Sequence, residues 1–105
     1  MTLSDYQRQV DKWVQQYKIC YWSPHEILTR LTEETGEVAR EVNHQFGPKK
    51  KKADERVSSI GGELADVIFT VCCMANSLGI DLDKEFADMI ATKLYGRDKD
   101  RFEKK

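Results

Sequence analysis

The chain has 105 residues, which fits one domain, and a single chain of this length buries only about 60 to 70% of the surface that it exposes when unfolded. Its 17 Lys and Arg balance 18 Asp and Glu, so no global field favours nucleic acid or an anionic membrane as the main partner. The function must therefore be sought in local clusters of residues, and self-association would supply the burial that one chain lacks.

The first predicted helix carries apolar residues at steps of three and four, beginning at Tyr6. Ser4 or Asp5 can cap it, and the periodicity extends it to about Lys18. The second helix is predicted to begin at Pro24, in a capping box with Ser23 and Glu26. Its buried stripe consists of Ile27, Leu28, Leu31, Val38 and Val42.

Gly47 and Pro48 are predicted to end the second helix, with Gly47 as a left-handed cap. The four lysines at 49–52 repel one another in a helix and gain from hydration, which favours a solvated loop. The alternative is that the positive charge of this loop attracts an anionic ligand.

The third predicted helix is apolar around much of its circumference, as in a helix buried on several sides, and Gly79 closes it. Asp81 can cap a fourth helix, whose pattern is broken at Gly96. No segment alternates like a strand. We therefore expect one all-α domain over residues 1–105, built like a four-helix bundle and completed by homo-oligomerisation.

Two further features indicate the cellular setting. The three cysteines are an odd number, and Cys72 and Cys73 lie in an apolar run, which is typical of a reducing compartment. No apolar stretch reaches the roughly 18 residues of a membrane span, and the N-terminus lacks the apolar core of a signal peptide. We expect a cytoplasmic protein with no membrane partner.

Each of the two central helices carries an acidic pair three residues apart, and such pairs lie on one helix face. The second helix offers Glu34 and Glu37, and the third offers Glu63 and Asp66. If the two helices pack antiparallel, the pairs converge into one cluster. The alternative for the second helix is an ordinary solvated face with Arg30 or Arg40 as ion-pair partners, formed by Glu33, Glu34, Glu37 and Glu41.

Asp66 weighs against that alternative, because it precedes an apolar run on a helix with little room for a solvent face. Burial of a lone carboxylate costs several kcal/mol unless a partner compensates. Four clustered acids need cations, and ligation by oxygen alone favours Mg²⁺ or Mn²⁺ over Zn²⁺. The sequence therefore predicts a Mg²⁺ site, in which Mn²⁺ can substitute.

The EETGE motif at 33–37 and the ELAD motif at 63–66 resemble the EExxE and ExxD signature of the MazG-like all-α nucleoside triphosphate pyrophosphohydrolases. That superfamily also includes dimeric dUTPases, dCTP pyrophosphatases and phosphoribosyl-ATP pyrophosphatase. The resemblance runs from the first helix through the tail, and it is closest to the small single-domain members. It implies hydrolysis of a nucleoside triphosphate between the α and β phosphates, by a homodimer or homotetramer.

The resemblance also implies roles for individual residues. Glu34, Glu37, Glu63 and Asp66 would bind Mg²⁺, and Glu33 would be the catalytic base or an outer-shell organiser of the attacking water. The phosphate-binding candidates are Lys93, Arg97 and Arg101, and the base-binding candidates are Trp13, Trp22, His25 and Asn76. A structural role is the alternative for several of these residues. Trp13 has the spacing of a core residue, and Lys93, Arg97 and Arg101 could lie at a solvated helix end.

Two alternatives stay open. Within the family, the substrate could be phosphoribosyl-ATP, dUTP or dCTP instead of non-standard triphosphates. From another class, the chain could be a non-catalytic helical oligomer that binds a nucleotide, although the complete set of acids argues against this.

Overall fold

A computed structural model describes residues 1–52 and 58–105, and every regular element in these two ranges is helical. The helices are α1 (Leu3–Val14), α2 (Pro24–Phe46), α3 (Ile60–Ser77) and α4 (Leu82–Met89). A π-helix, Ile90–Arg97, continues α4 directly. The predicted all-α class and the count of four helices are confirmed.

Helix α1 begins and ends at different residues from those predicted. Its N-cap is Thr2, whose hydroxyl accepts from the amide of Asp5, while the Asp5 carboxylate accepts from the Thr2 amide at 2.8 Å. Asp5 is thus the third residue of a capping box, and it lies inside the helix. The helix ends at Val14, because the amides of Gln16 and Tyr17 form tight turns to carbonyls three residues back.

Helices α2 and α3 pack against each other and form the centre of the molecule. Ser23, Pro24 and Glu26 start α2 with the predicted capping box. Early residues of α2 share one cleft with late residues of α3, and late residues of α2 share a small pocket with the start of α3, so the two helices run antiparallel. The packing needed for convergence of the acidic pairs is therefore present.

Two glycines end helices in different ways. Gly79 has φ +68, the left-handed conformation that favours glycine, and it closes α3 as predicted. Gly47 has φ −94, so the predicted left-handed cap is wrong at the end of α2. The loop at 49–52 that follows has no regular secondary structure, as expected.

Gly96 does not break the last helix. The chain passes from α4 into the π-helix, in which the amide of Asp98 bonds to the carbonyl of Lys93, five residues back, at 2.8 Å. The wider turn accommodates Gly96 within the helix, and the helix ends at Arg97. The sequence leaves open whether the helix ends before Arg97, and the structure shows that it does not.

Helix α1 packs on α3 and α4, and buried Gln7 connects the three. The amide nitrogen of Gln7 donates to Asn76 Oδ1 at 3.0 Å and to the Ile80 carbonyl at 2.8 Å. Its oxygen accepts from the Leu82 amide at 2.9 Å. One buried glutamine thus satisfies polar groups at the turn between α3 and α4.

One chain leaves the outer face of α3 uncovered. Leu64 is 48% exposed and Ile68 is 54% exposed, so the prediction that α3 is buried on several sides is wrong for the isolated chain. The radius of gyration, 17.2 Å, is larger than the ~13 Å of a compact domain of about 100 residues. The single chain is open, with apolar surface facing solvent.

Helix α3 also has the length and mean hydropathy of a membrane span, 18 residues at 1.2. By length and composition alone, α3 therefore departs from the prediction that no apolar stretch is long enough to span a bilayer. The core helix of a soluble protein passes the same test, and α3 carries Glu63 and Asp66, which a bilayer core would penalise by a few kcal/mol each.

Candidate active site

Four carboxylates converge between α2 and α3. Glu34 and Glu37 from α2 and Glu63 and Asp66 from α3 each offer an oxygen, and these atoms all lie within 4.8 Å of one another. The cluster forms because each pair is spaced by three residues on one helix face and the helices run antiparallel. The sequence prediction that these four residues come together is confirmed, while their role as ligands stays a prediction.

Burial within this acidic cluster differs from the expectation. Glu34 and Glu63 are each only 3% exposed, Glu37 is intermediate, and Asp66 is exposed. The prediction that Asp66 is the buried carboxylate is wrong, because α3 turns Asp66 toward the open cleft and Glu63 toward α2. The free-energy cost of burying a carboxylate therefore applies to Glu34 and Glu63.

The buried carboxylates have partial compensation within the chain. Arg30 Nη2 lies 2.6 Å from Glu34 Oε1, and the Ser58 hydroxyl donates to Glu63 Oε1. Glu34 Oε2 is buried and accepts no hydrogen bond from the residues that the structure describes. A buried carboxylate oxygen without a donor is a site that a cation would stabilise.

The donor set fits a hard divalent metal ion. All four residues offer carboxylate oxygens, and no Cys or His belongs to the described cluster. Such oxygens suit Mg²⁺, Mn²⁺ or Ca²⁺, and thiolate or imidazole ligands would have favoured Zn²⁺. The cluster can therefore hold a metal.

A second ion pair lies beside the acidic cluster. Lys51 Nζ donates to both oxygens of buried Glu41, at 2.8 and 3.1 Å. Glu41 lines a small pocket with two of the cluster residues, Glu37 and Glu63. The interpretation of the α2 acids as a solvated face is wrong for Glu34 and Glu41, and one lysine of the loop at 49–52 is held against α2 instead of being fully hydrated.

An open cleft of about 800 Å³ adjoins the cluster, with Glu34, Glu37 and Asp66 in its lining. Five aromatic residues are part of its apolar wall, and they are Trp13, Tyr17, Tyr21, Trp22 and Phe69. Ring packing fixes part of this wall: the Trp13 ring lies 4.9 Å from Tyr17 and 5.8 Å from Phe69 between centroids. The cleft offers flat apolar surfaces beside the acidic cluster.

The base-binding candidates divide into two groups. Trp13 and Trp22 line the cleft and are 51% and 54% exposed, so the interpretation of Trp13 as a core residue is wrong. His25 is exposed in the first turn of α2 and is not part of the cleft lining that the structure describes. Asn76 is also outside that lining.

Asn76 is committed to structural hydrogen bonds. Its amide nitrogen donates to the Gln7 carbonyl at 2.9 Å and lies 3.0 Å from the Tyr21 hydroxyl, which donates to Asp11 at 2.6 Å. Burial, followed by the hydrogen bond to Asp11, raises the pKa of Tyr21 well above its usual range. Sequence reasoning missed this network because its members are separated by up to 69 residues.

Glu33 lies beside the cluster without belonging to it. Its side chain is 59% exposed, and its carboxylate is 3.8 Å from Arg30 Nη1. Adjacent residues on a helix point about 100° apart, so Glu33 cannot face the same way as Glu34. Its role as a base stays a prediction.

The C-terminal cations gather around Asp98 and are not among the described residues that line the cleft. Arg97 binds both Asp98 oxygens, at 3.0 and 2.9 Å, and Arg101 lies 3.4 Å from one of them. Hydrogen bonds from Arg97, with a Coulombic contribution from Lys93, lower the pKa of Asp98. The single chain does not place the C-terminal cations at the acidic cluster. The role of Lys93, Arg97 and Arg101 as phosphate ligands therefore stays a prediction.

The fold and the paired carboxylates define a class of all-α proteins with an acidic cluster that could hold a metal, and comparison with known proteins specifies the family. The MazG nucleotide pyrophosphohydrolase domain matches residues 22–102. The chain therefore belongs to the MazG nucleotide pyrophosphohydrolase family, and it is a pyrophosphohydrolase enzyme.

Similar proteins come from Bacillus. The uncharacterized protein YpjD of Bacillus subtilis (strain 168) is 48% identical over 104 residues, which cover 99% of this chain and 93% of YpjD. The crystal structure of Bacillus subtilis YpjD superposes with a TM-score of 0.78 at 44% identity, covering 89% of this chain and 95% of that one. A Bacillus-conserved MazG protein, a nucleotide pyrophosphohydrolase, gives a TM-score of 0.76 at 43% identity and covers 89% of each chain.

Proposed function

We propose that this enzyme hydrolyses a nucleoside triphosphate between its α and β phosphates, in a Mg²⁺-dependent reaction that releases a nucleoside monophosphate and pyrophosphate. Its biological role would be cytoplasmic removal of non-standard nucleotides. The observation that carries the proposal is the convergence of four carboxylates on one side of an aromatic cleft.

The cleft suits the two halves of a nucleotide. Trp22 is exposed in the linker before α2 and offers a ring face for the base, a contact worth ~1–3 kcal/mol in other nucleotide sites. Glu34, Glu37 and Asp66 line the same cleft and would hold the metal beside the phosphates. The base would therefore lie on the aromatic wall and the triphosphate near the acids.

Different side chains have different roles in the proposed reaction. When bound, Mg²⁺ would neutralise phosphate charge and help to activate a water. Glu34, Glu37, Glu63 and Asp66 would fix its position, and the exposed carboxylate of Glu33 would accept the proton of the attacking water.

A substrate panel tests the reaction. The purified protein is incubated with Mg²⁺ and a set of triphosphates that includes dUTP, dCTP, phosphoribosyl-ATP and oxidised or deaminated nucleotides, and the products are separated. We expect a monophosphate and pyrophosphate from at least one of them. Release of a diphosphate and phosphate would place the cut at another bond, and no turnover of any member would favour a binding function.

The uncovered face of α3 leads to a prediction about assembly. Leu64, Ile68 and Leu78 are all about half exposed, and burial of apolar surface is worth ~25 cal/mol per Å². We expect a dimer or a pair of dimers that covers this face, measured by light scattering at micromolar concentration. Replacement of Ile68 by Glu should lower the mass, and a monomer mass for the parent protein would contradict the prediction.

The acidic cluster leads to a second prediction, on stability. Mg²⁺ at 100 times its dissociation constant should stabilise the folded protein by ~2.7 kcal/mol, because the unfolded chain does not assemble the cluster. For a domain of this size, that is a rise in Tm of roughly 10 °C or more. A thermal scan with added Mg²⁺ measures it, with Na⁺ at equal ionic strength as the control. An unchanged Tm would count against a metal site.

A further inference from the structure

Arg30 is the one cation among the described residues that line the aromatic cleft. The other charged groups in that lining are Glu34, Glu37 and Asp66, which would repel a triphosphate in the absence of metal. A polyphosphate chain has more charge and more oxygens than a metal alone can satisfy, and guanidinium groups bind phosphate through paired donors. The cleft therefore holds one built-in group suited to phosphate.

In the structure, that group is paired with an acid of the cluster. Arg30 Nη2 lies 2.6 Å from Glu34 Oε1, one turn further along α2, and the Glu34 side chain is only 4% exposed. The guanidinium supplies the charge compensation that burial of Glu34 requires. The same carboxylate belongs to the acidic cluster, so a divalent cation and Arg30 would compete for it.

The Arg30 side chain can leave this contact at modest cost. It is 47% exposed, and its second contact, to Glu33, is 3.8 Å long, which is too far for a hydrogen bond. A divalent ion attracts Glu34 more strongly than a guanidinium does, because Coulomb energy scales with charge. Once a metal neutralises Glu34, the guanidinium has its donors available at the wall of the cleft.

We propose that Arg30 has two alternating partners: it pairs with Glu34 in the metal-free protein, and it binds a phosphate group of the substrate once a divalent cation has taken over Glu34. The inference rests on the proposed function and deepens it by naming a phosphate-binding residue on α2. The C-terminal cations gather at Asp98 and do not line the described part of the cleft. Among the described residues, Arg30 is therefore the cation placed to contact a phosphate in the cleft.

Replacement of Arg30 by Gln should change two affinities in opposite directions. Calorimetry with Mg²⁺ alone should show tighter binding by about three- to tenfold, because the competing cation is gone. Calorimetry with inorganic tripolyphosphate, in protein saturated with Mg²⁺, should show weaker binding by about tenfold or more. A residue with a merely structural role would weaken both or change neither.

Two further variants complete the test. Arg8→Gln makes the same change on an exposed α1 residue that pairs with Asp5 outside the cleft, and both affinities should stay at the parent values. Arg30→Lys keeps the charge, so it should recover part of the tripolyphosphate affinity, and it provides a folded alternative if Arg30→Gln is unstable. Circular dichroism verifies the helices of each variant.

The outcomes separate this inference from the proposed function. If the parent protein binds neither Mg²⁺ nor tripolyphosphate and hydrolyses nothing, the proposed function fails. If the parent is active but Arg30→Gln loses Mg²⁺ affinity, or keeps its tripolyphosphate affinity, the alternation of Arg30 between its two partners is wrong.

Discussion

Asp66→Asn should reduce the turnover number by more than about 100-fold, since even the outer-shell partners of metal ligands cost 10- to 100-fold when they are replaced. The variant should also bind Mg²⁺ more weakly. Asp66 is exposed at the edge of the acidic cluster, so its replacement leaves the helix packing intact and relieves repulsion among the four acids. Pyrophosphate release and calorimetry measure the two effects.

The matched control for this variant is a substitution of an exposed aspartate on another helix. Asp88 is exposed on α4 and does not line the cleft, so Asp88→Asn should keep both the turnover number and Mg²⁺ affinity. Thermal melts without metal should give Asp66→Asn a Tm equal to or above that of the parent. Full activity of Asp66→Asn would end the metal-site hypothesis, whereas a collapsed fold would mean that Asp66 has a structural role.

Glu33→Gln and Glu37→Gln should separate catalysis from metal binding. Glu37 offers an oxygen to the acidic cluster, so its replacement should damage both Mg²⁺ affinity and turnover. Glu33 is 59% exposed and points away from Glu34, so its replacement should lower the turnover number by about 10²- to 10⁴-fold, the range of general-base catalysis, at nearly unchanged Mg²⁺ affinity. Initial rates at saturating nucleotide and calorimetry distinguish the two variants.

Calorimetry also gives the outcome that would contradict this division of roles. If Glu33→Gln loses Mg²⁺ as badly as Glu37→Gln does, then Glu33 is itself a ligand, and the proposed division of roles is wrong.

The sequence by itself determined the local features of this protein. Ser23, Pro24 and Glu26 set the start of α2, and Gly79 closes α3, because caps depend on residues a few positions apart. The two acidic pairs could likewise be recognised, since a spacing of three residues places two carboxylates on one face of any helix. Local geometry was enough for these predictions.

Only the tertiary structure decided which groups are buried and which partners they find. Helix packing buries Glu34 and Glu63 and leaves Asp66 exposed, although the apolar sequence around Asp66 indicated the reverse. It also gives Asn76 hydrogen bonds to Gln7 and Tyr21, while the role of Asn76 in base binding stays a prediction. Burial and long-range hydrogen bonds depend on how helices that are distant in the sequence pack against one another. The sequence of a short segment does not determine that packing.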